Sequence, residues 1–305
     1  MSKKTKDELG SRMKENYENR AKTSLLRRTP VAIRIDGKAF HTFTRNFDKP
    51  FDRLLMTTMQ ETMKYLCENI PGCVLGYTQS DEITLILTDY KKLSSNAWFD
   101  YEVQKMSSIA ASMATMVFNK IFAKNVKEYV MDWKCSLTPQ SVEIQKAHYD
   151  YVEVLNKAVE KGAMFDARCF NIPKEEVTNL VYWRQQDASK NSVQMVARAY
   201  FPHKELQNKN TSQMQDMLFT LKGVNWNDYP TDCKRGSCCV KVDYFEPSED
   251  GKDVRYPEGC SDPYEDNEVE YGTWKTRWVV DKDIPIFKGE GRDYIESRIT
   301  FKEES

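Results

Sequence analysis

Apolar and polar positions divide the first half of the chain into alternating elements. Residues 31–35 (Val-Ala-Ile-Arg-Ile) form a short apolar run broken once by Arg34 and stopped by Asp36-Gly37, a pattern of strand rather than helix. Residues 74–77 and 83–87 are two further strands, and the Gln79-Ser80-Asp81-Glu82 link between them predicts a hairpin. Leu55, Met59, Met63 and Leu66 recur at helical spacing after Pro50, which suits a helix start. Val103, Met106, Ala110, Met113, Val117 and Ile121 make a second helical stripe, and residues 163–170 read as a fourth strand. The order β-α-β-β-α-β is the split βαβ unit of ferredoxin-like sheets. The predicted class is α+β: a palm-like antiparallel sheet with helices on one face and a C-terminal α/β extension.

Further along, residues 89–101 read as a polar connector and 123–162 as a helical insertion. Residues 175–198 form a helix or helix pair with Val177, Leu180, Val181, Val193, Met195 and Val196 as packing positions. Residues 211–218 read as a short capped helix, 243–271 as an acidic, solvated excursion, and 273–287 as the return to a strand through Trp278-Val279-Val280. The expected organisation is a basic arm over 1–30, a catalytic domain over 31–240 and an extension over 241–305.

The topology carries a chemical consequence. A right-handed crossover makes strands one and two parallel with strand three between them, so strand three runs antiparallel to strand one. Asp36, at the end of strand one, then neighbours Asp81 and Glu82 at the start of strand three. Three crowded carboxylates repel one another unless a cation sits among them. Hard oxygen ligands favour Mg²⁺, and a pair of such ions is a common engine of phosphoryl and nucleotidyl transfer. The bland alternative for each piece is a turn after a strand and a solvated hairpin tip. Polymerase palms and nucleotide cyclases share the geometry.

Composition bounds the rest. The chain has 305 residues and a formal net charge of −1, which excludes a uniformly basic nucleic-acid binder. Its basic residues nevertheless gather in 1–28, an arm suited either to phosphates or to a solvated helix face. No run approaches the ~20 apolar residues of a membrane span, and the start carries no apolar signal core, so a cytoplasmic protein without membrane partners is expected. The 8 cysteines lack regular spacing, which predicts reduced thiols. Cys233, Cys238, Cys239 and Cys260 contain no Cys-x-x-Cys pair, and the only histidines are His41, His148 and His203, so zinc is not expected.

Successive amides over residues 36–41 suit a phosphate nest, with Lys38 or Lys49 supplying charge. Lys105, near the start of the second long helix, is either a nucleotide contact or part of a solvated face. Lys234 and Arg235, beside Gly236, suit triphosphate or RNA backbone, or form a basic turn. Asp166 and Arg168 flank Ala167 on one strand face and suit an ion pair.

These residues also carry a resemblance. Arg34-Ile35-Asp36-Gly37-Lys38-Ala39-Phe40-His41, Lys49-Pro50-Phe51-Asp52, Gly76-Tyr77-Thr78-Gln79-Ser80-Asp81-Glu82, Phe165-Asp166-Ala167-Arg168, Tyr182-Trp183-Arg184-Gln185-Gln186-Asp187 and Lys234-Arg235-Gly236 stand in register over roughly residues 10 to 240. Together they resemble the tRNA-histidine guanylyltransferase family, in particular its guanylyltransferase-like 3′–5′ polymerase branch. The resemblance implies a nucleotidyltransferase that adds nucleotides to the 5′ end of tRNA. It uses GTP and ATP and two Mg²⁺ ions, and is a homotetramer whose subunits jointly complete the tRNA site. Asp36, the Gly37 carbonyl and Asp81 would hold metal, and Glu82 matches a further acidic position counted with the catalytic carboxylates. Gly37, Lys38, Ala39, Phe40, His41, Lys49, Ser80, Lys105 and Asn191 would form the nucleotide site. Lys190, Lys234 and Arg235 would meet RNA. Members acting on histidine tRNA commonly carry His-Ile-Asn-Asn where this chain has Ser189-Lys190-Asn191-Ser192. That departure favours template-directed repair of 5′-truncated tRNA over untemplated guanylate addition to histidine tRNA. Two readings of other classes remain: a palm-type cyclase needing no RNA, and a non-catalytic RNA-binding module tolerant of carboxylate loss.

Overall fold

A computed structural model describes residues 8–135, 141–247 and 272–301. In chain order its elements are α1 (Glu8–Asn16), β1 (Val31–Gly37), α2 (Phe40–Phe43), α3 (Arg53–Asn69), β2 (Cys73–Gln79), β3 (Glu82–Leu87), α4 (Val103–Cys135) and α5 (Val142–Lys161). These are followed by β4 (Phe165–Asn171), α6 (Lys174–Tyr200), α7 (His203–Leu206), α8 (Thr211–Lys222), α9 (Thr231–Arg235), β5 (Ser237–Pro247), β6 (Gly272–Asp281) and α10 (Asp293–Ile299). The strands form one sheet in the order β4-β1-β3-β2-β5-β6. Every pairing is antiparallel, so β1 and β2 are parallel with β3 between them. The β-α-β-β-α-β reading therefore holds, with β5 and β6 added beside β2.

The expectation that helices cover one face needs correction. Val31, Ile33 and Ile35 of β1 pack with Met59, Met63 and Leu66 of α3 and Met106, Ala110 and Phe118 of α4. The alternate position, Ala32, lies instead in a second core with Leu75, Ile86, Val177 and Val181 of α6, and Ile295 and Ile299 of α10. Helices thus cover both faces, which is why β1 and β3 read as continuous apolar runs and not as alternating ones. Ile33, Ile35, Ile83 and Leu85 are each 0% exposed, and burying each such side chain contributes about 1.5–3 kcal/mol. Gly76 lets α3 approach β2, since a Cβ there would lie 2.6 Å from Cys67 Sγ.

The described residues of the 123–162 insertion form the far end of α4 and the returning α5. Beside the aliphatic packing of Leu155 and Ala158, its contact is aromatic: His148 stacks on Trp133 at 3.9 Å, and its Nδ1 lies 3.3 Å from the Tyr129 hydroxyl. Tyr151 donates to Asp52 at 2.6 Å. Asp52 caps α3 by accepting from the Leu55 amide, so the α4–α5 arm is tied to the start of α3.

Residues 175–198 are one helix, α6. The cap expected within 211–218 is Asn210, which forms a reciprocal capping box with Gln213. The acidic stretch from 243 begins inside β5, whose pairing with β6 runs from Cys238 opposite Asp281 to Pro247 opposite Gly272. The rest of it, 248–271, lies outside the described residues, as do Lys3, Lys4 and Lys6. The division placed after residue 240 falls within β5.

Candidate active site

The sheet register sets the acidic residues. Asp36 of β1 lies opposite Glu82 of β3 on one side and Asp166 of β4 on the other. Glu82 also faces Gln79 across the two-residue Ser80-Asp81 turn, where Ser80 adopts a left-handed φ of 51°. The Gly37 amide donates to the Asp81 carbonyl at 3.1 Å, which fastens the end of β1 to the hairpin tip. The expected convergence of Asp36, Gly37, Asp81 and Glu82 at one sheet corner is therefore present.

Their charge environments differ. Glu82 is 8% exposed; its Oε1 lies 2.8 Å from Arg184 Nε and its Oε2 lies 3.9 Å from Arg34 Nε. The Arg184 contact is an ion pair without an aligned hydrogen bond, since neither Arg184 Nε nor Glu82 Oε1 finds a directed partner. Burial pushes the Glu82 carboxyl up, and Arg184 and then Arg34 pull it back. Burial also raises Asp81, with the Asp36 charge acting the same way against its own amide and the Ser80 hydroxyl. Ser80 donates to Asp81 at 3.1 Å. Among the described residues, no ion pair reaches Asp36 or Asp81. Two arginines thus neutralise Glu82, while among the described residues the Asp36–Asp81 pair has no cation of its own.

Among the described residues, no group of three or more His, Cys, Asp and Glu side chains is placed to hold a metal ion, so Glu82 does not join Asp36 and Asp81 as a third ligand. Two carboxylates and a backbone carbonyl fit Mg²⁺ better, because that ion keeps several waters and shares its shell with substrate phosphates. The unneutralised Asp36–Asp81 corner is the observation that suits it.

The loop after β1 is a partial nest. The Gly37 and Lys38 amides are already used, by Asp81 and by the Met164 carbonyl at 2.8 Å. Of the amides expected to form a nest over 36–41, these two are therefore spent on the fold. Ala39 takes a left-handed conformation, φ 53° and ψ 39°, before the helical Phe40, the alternation that turns consecutive amides into an anion-binding concavity. The Phe40 ring is buried among Phe43, Phe118 and Phe165, so any ligand contact there falls to its backbone. Gly37 serves that ring: a Cβ at Gly37 would lie 2.2 Å from it. The side chains of Lys38 and His41 on this loop, and of Lys49 further along the chain, are exposed.

Ser80 and Asn191 meet in a cleft of about 90 Å³, with Phe51, Met56, Met195 and Gly236. Asp232, on its wall, accepts from Arg53 at 3.1 Å and Gln60 at 3.3 Å. Lys190, Lys234 and Arg235 line an adjoining cavity of about 410 Å³ with Tyr182, Ser189 and Trp226. Ser192 joins the two by donating to the Lys234 carbonyl at 3.2 Å. Lys105 is not part of this assembly. Its helix runs antiparallel to β4, with Thr115 at Phe165 but Ser107 at Cys169. Lys105 therefore lies towards the opposite end of the sheet, its ammonium 4.7 Å from the Phe99 ring. Asp166 and Arg168 form the expected pair at 3.7 Å, both exposed.

Sequence reasoning missed the Arg34–Glu82–Arg184 group and the Asp232 network. Arg34 carried a readable signal, because a cation inside a buried strand requires a buried partner. Asp232 carried none: Arg53 and Gln60 reach it from far along the chain.

The sequence profile of the tRNAHis guanylyltransferase (Thg1) family matches residues 10–173. A solved bacterial tRNA(His) guanylyltransferase (Thg1)-like protein in complex with ATP superposes with a TM-score of 0.71. It has 37% identity and covers 96% of this chain and 100% of its own. A GTP complex of such a bacterial protein gives 0.69 at 36% identity, covering 97% and 100%. An uncharacterized protein of Acanthamoeba polyphaga mimivirus is 30% identical over 237 residues, 73% of each chain. The corner where Asp36 meets Asp81 thus sits on a shared scaffold, and the chain belongs to the tRNA-histidine guanylyltransferase family of nucleotidyltransferases.

Proposed function

We propose that the protein is an Mg²⁺-dependent nucleotidyltransferase that extends the 5′ end of tRNA in the 3′–5′ direction, using a complementary strand to repair 5′-truncated acceptor stems. The observation carrying this is the Asp36–Asp81 corner, which no cation among the described residues pairs with, while the neighbouring Glu82 has two. Asp36, the Gly37 carbonyl and Asp81 would hold metal, which supplies Lewis-acid stabilisation of phosphoryl charge. The amides of Ala39, Phe40 and His41 cradle phosphate oxygens, with Lys38 and Lys49 nearby as counter-charge. Ser80 and Asn191 border the cleft that admits the rest of a nucleotide. Solved relatives bound to ATP and to GTP support both as substrates.

Templated addition is supported by the chemistry around Lys190. Ser189 spends its hydroxyl on the Gln185 carbonyl at 3.0 Å, leaving Lys190, Lys234 and Arg235 to line the larger cavity. Cations contact phosphates without reading sequence, so pairing must supply nucleotide choice. Such a site suits a tetramer sharing tRNA between subunits.

The test offers each of four labelled triphosphates to the enzyme with 5′-monophosphorylated truncated tRNA, full-length histidine tRNA or no RNA. Preference for the complementary nucleotide on the truncated substrate supports repair. Faster guanylate addition to histidine tRNA overturns it, and cyclic nucleotide formed without RNA overturns polymerisation altogether. Asp36→Ala and Asp81→Ala should each abolish addition while remaining folded, and near-normal activity in either removes the metal assignment.

A further inference from the structure

Trp183 is unexplained by the site as described. Its indole is 46% exposed on α6, an unusual place for the largest apolar side chain. It is held in position all the same: the Arg184 guanidinium lies 4.2 Å from its ring centroid and that of Arg34 lies 6.0 Å away. Both arginines are in turn anchored on Glu82, which pairs with Asp36 across the sheet. A preset aromatic surface therefore stands beside the metal corner, fixed through the same ion pairs that neutralise Glu82.

The surroundings favour a nucleic-acid strand. Arg34, Asp36, Arg168 and Asp166 share the sheet face of Glu82, since Arg34 is opposite Arg168 and Asp36 opposite Asp166. Arg168 and Asp166 are each 59% exposed by side chain and 3.7 Å apart, a contact loose enough to yield a cation to phosphate. The residues proposed above for the triphosphate lie elsewhere, at the Ala39 loop and in the cleft lined by Ser80 and Asn191. Trp183 lines neither that cleft nor the Lys190 cavity, whereas small ligands are held in concave sites that bury most of their surface.

We propose that Trp183 is a stacking platform for an unpaired nucleobase of the RNA strand next to the reacting 5′ end, with Arg168 taking an adjacent phosphate. The inference rests on the RNA-directed reading above. Stacking on an aromatic ring is sequence-tolerant because every base has a π-face, which suits an enzyme that must accept any nucleotide at a broken end.

The experiment measures the affinity of the intact protein for fluorescein-labelled, 5′-truncated tRNA by anisotropy without triphosphate, and separately the KM for each triphosphate. The variants are Trp183→Phe, Trp183→Leu and Arg168→Gln. Trp183→Leu keeps apolar bulk but has no π-face, so its RNA Kd should rise about 5- to 150-fold, whereas Trp183→Phe should stay within about threefold of wild type. Arg168→Gln should weaken binding less and flatten its salt dependence. The KM for triphosphate should change less than twofold in all three. Equal loss in the Phe and Leu variants, unchanged RNA affinity in both, or a rise confined to triphosphate KM would each overturn the proposal. Because RNA affinity is read without turnover, a protein that binds RNA through Trp183 yet adds no nucleotide would fail the catalytic reading alone.

Discussion

Arg184→Met is the sharpest test of how the acidic corner is held. Arg184 is 8% exposed, and its Nε lies 2.8 Å from a Glu82 carboxylate that is equally buried; a second contact reaches Asp187 at 2.9 Å. Removing one partner of a buried pair leaves an uncompensated charge, which costs about 3–5 kcal/mol. Arg34 remains 3.9 Å from Glu82, so the lower end applies, about 3 kcal/mol. At about 2 °C per kcal/mol for a chain of this size, that lowers the Tm by about 6 °C. Methionine fills most of the volume, so the loss reports charge and not a cavity. Urea unfolding of wild type, Arg184→Met, Glu82→Gln and the double variant closes a cycle whose coupling should be about 2 kcal/mol. Coupling below ~0.5 kcal/mol would refute the claim that Arg184 serves chiefly to neutralise Glu82. The same series separates Glu82 from the metal pair: Glu82→Gln should retain Mg²⁺-dependent addition within about tenfold, a smaller loss than removal of a metal ligand brings.

Gly236→Ala should destabilise by about 3 kcal/mol in urea, because φ is +81° there and a Cβ would lie 2.4 Å from the Thr78 carbonyl oxygen; a change below 0.5 kcal/mol would show that β5 can shift away from β2. His148 is 7% exposed and burial holds its pKa below the ordinary value. Its contribution is therefore intact above pH ~6.5 and lost as pH falls through the folded value. His148→Phe should lessen the drop in Tm between pH 7 and pH 5, and an unaltered drop contradicts this. Thiol titration of unfolded protein prepared without reductant should recover close to all 8 cysteines, six of them free thiols among the described residues; recovery of only a few indicates disulfides.

The carboxylate corner was legible because strand order, crossover hand and hairpin length together leave one placement for Asp36 against Glu82. Apolar runs also contained the two-sided burial that was misread: Ala32 beside Ile33, both 0% exposed, signals a strand covered on both faces. Other features lay beyond a one-dimensional pattern. The Gly37 and Lys38 amides look free in sequence, and only the approach of the Asp81 and Met164 carbonyls uses them. Lys105 reads as a helix-start cation, but the antiparallel run of α4 along β4 sends it away from Asp36. Asp232 needs Arg53, 179 positions away, and no local spacing encodes such a partner.

The strand order has one more consequence. A single sheet with β4 and β6 at its ends has two borders that pair with no further strand among the described residues, and such borders invite pairing with a foreign strand. Each border carries charge where such pairing would start. On β4 the opposed Asp166 and Arg168 are exposed, and on β6 the run Lys275-Thr276-Arg277 faces solvent. Charged side chains at such edge positions oppose growth of a sheet by edge addition.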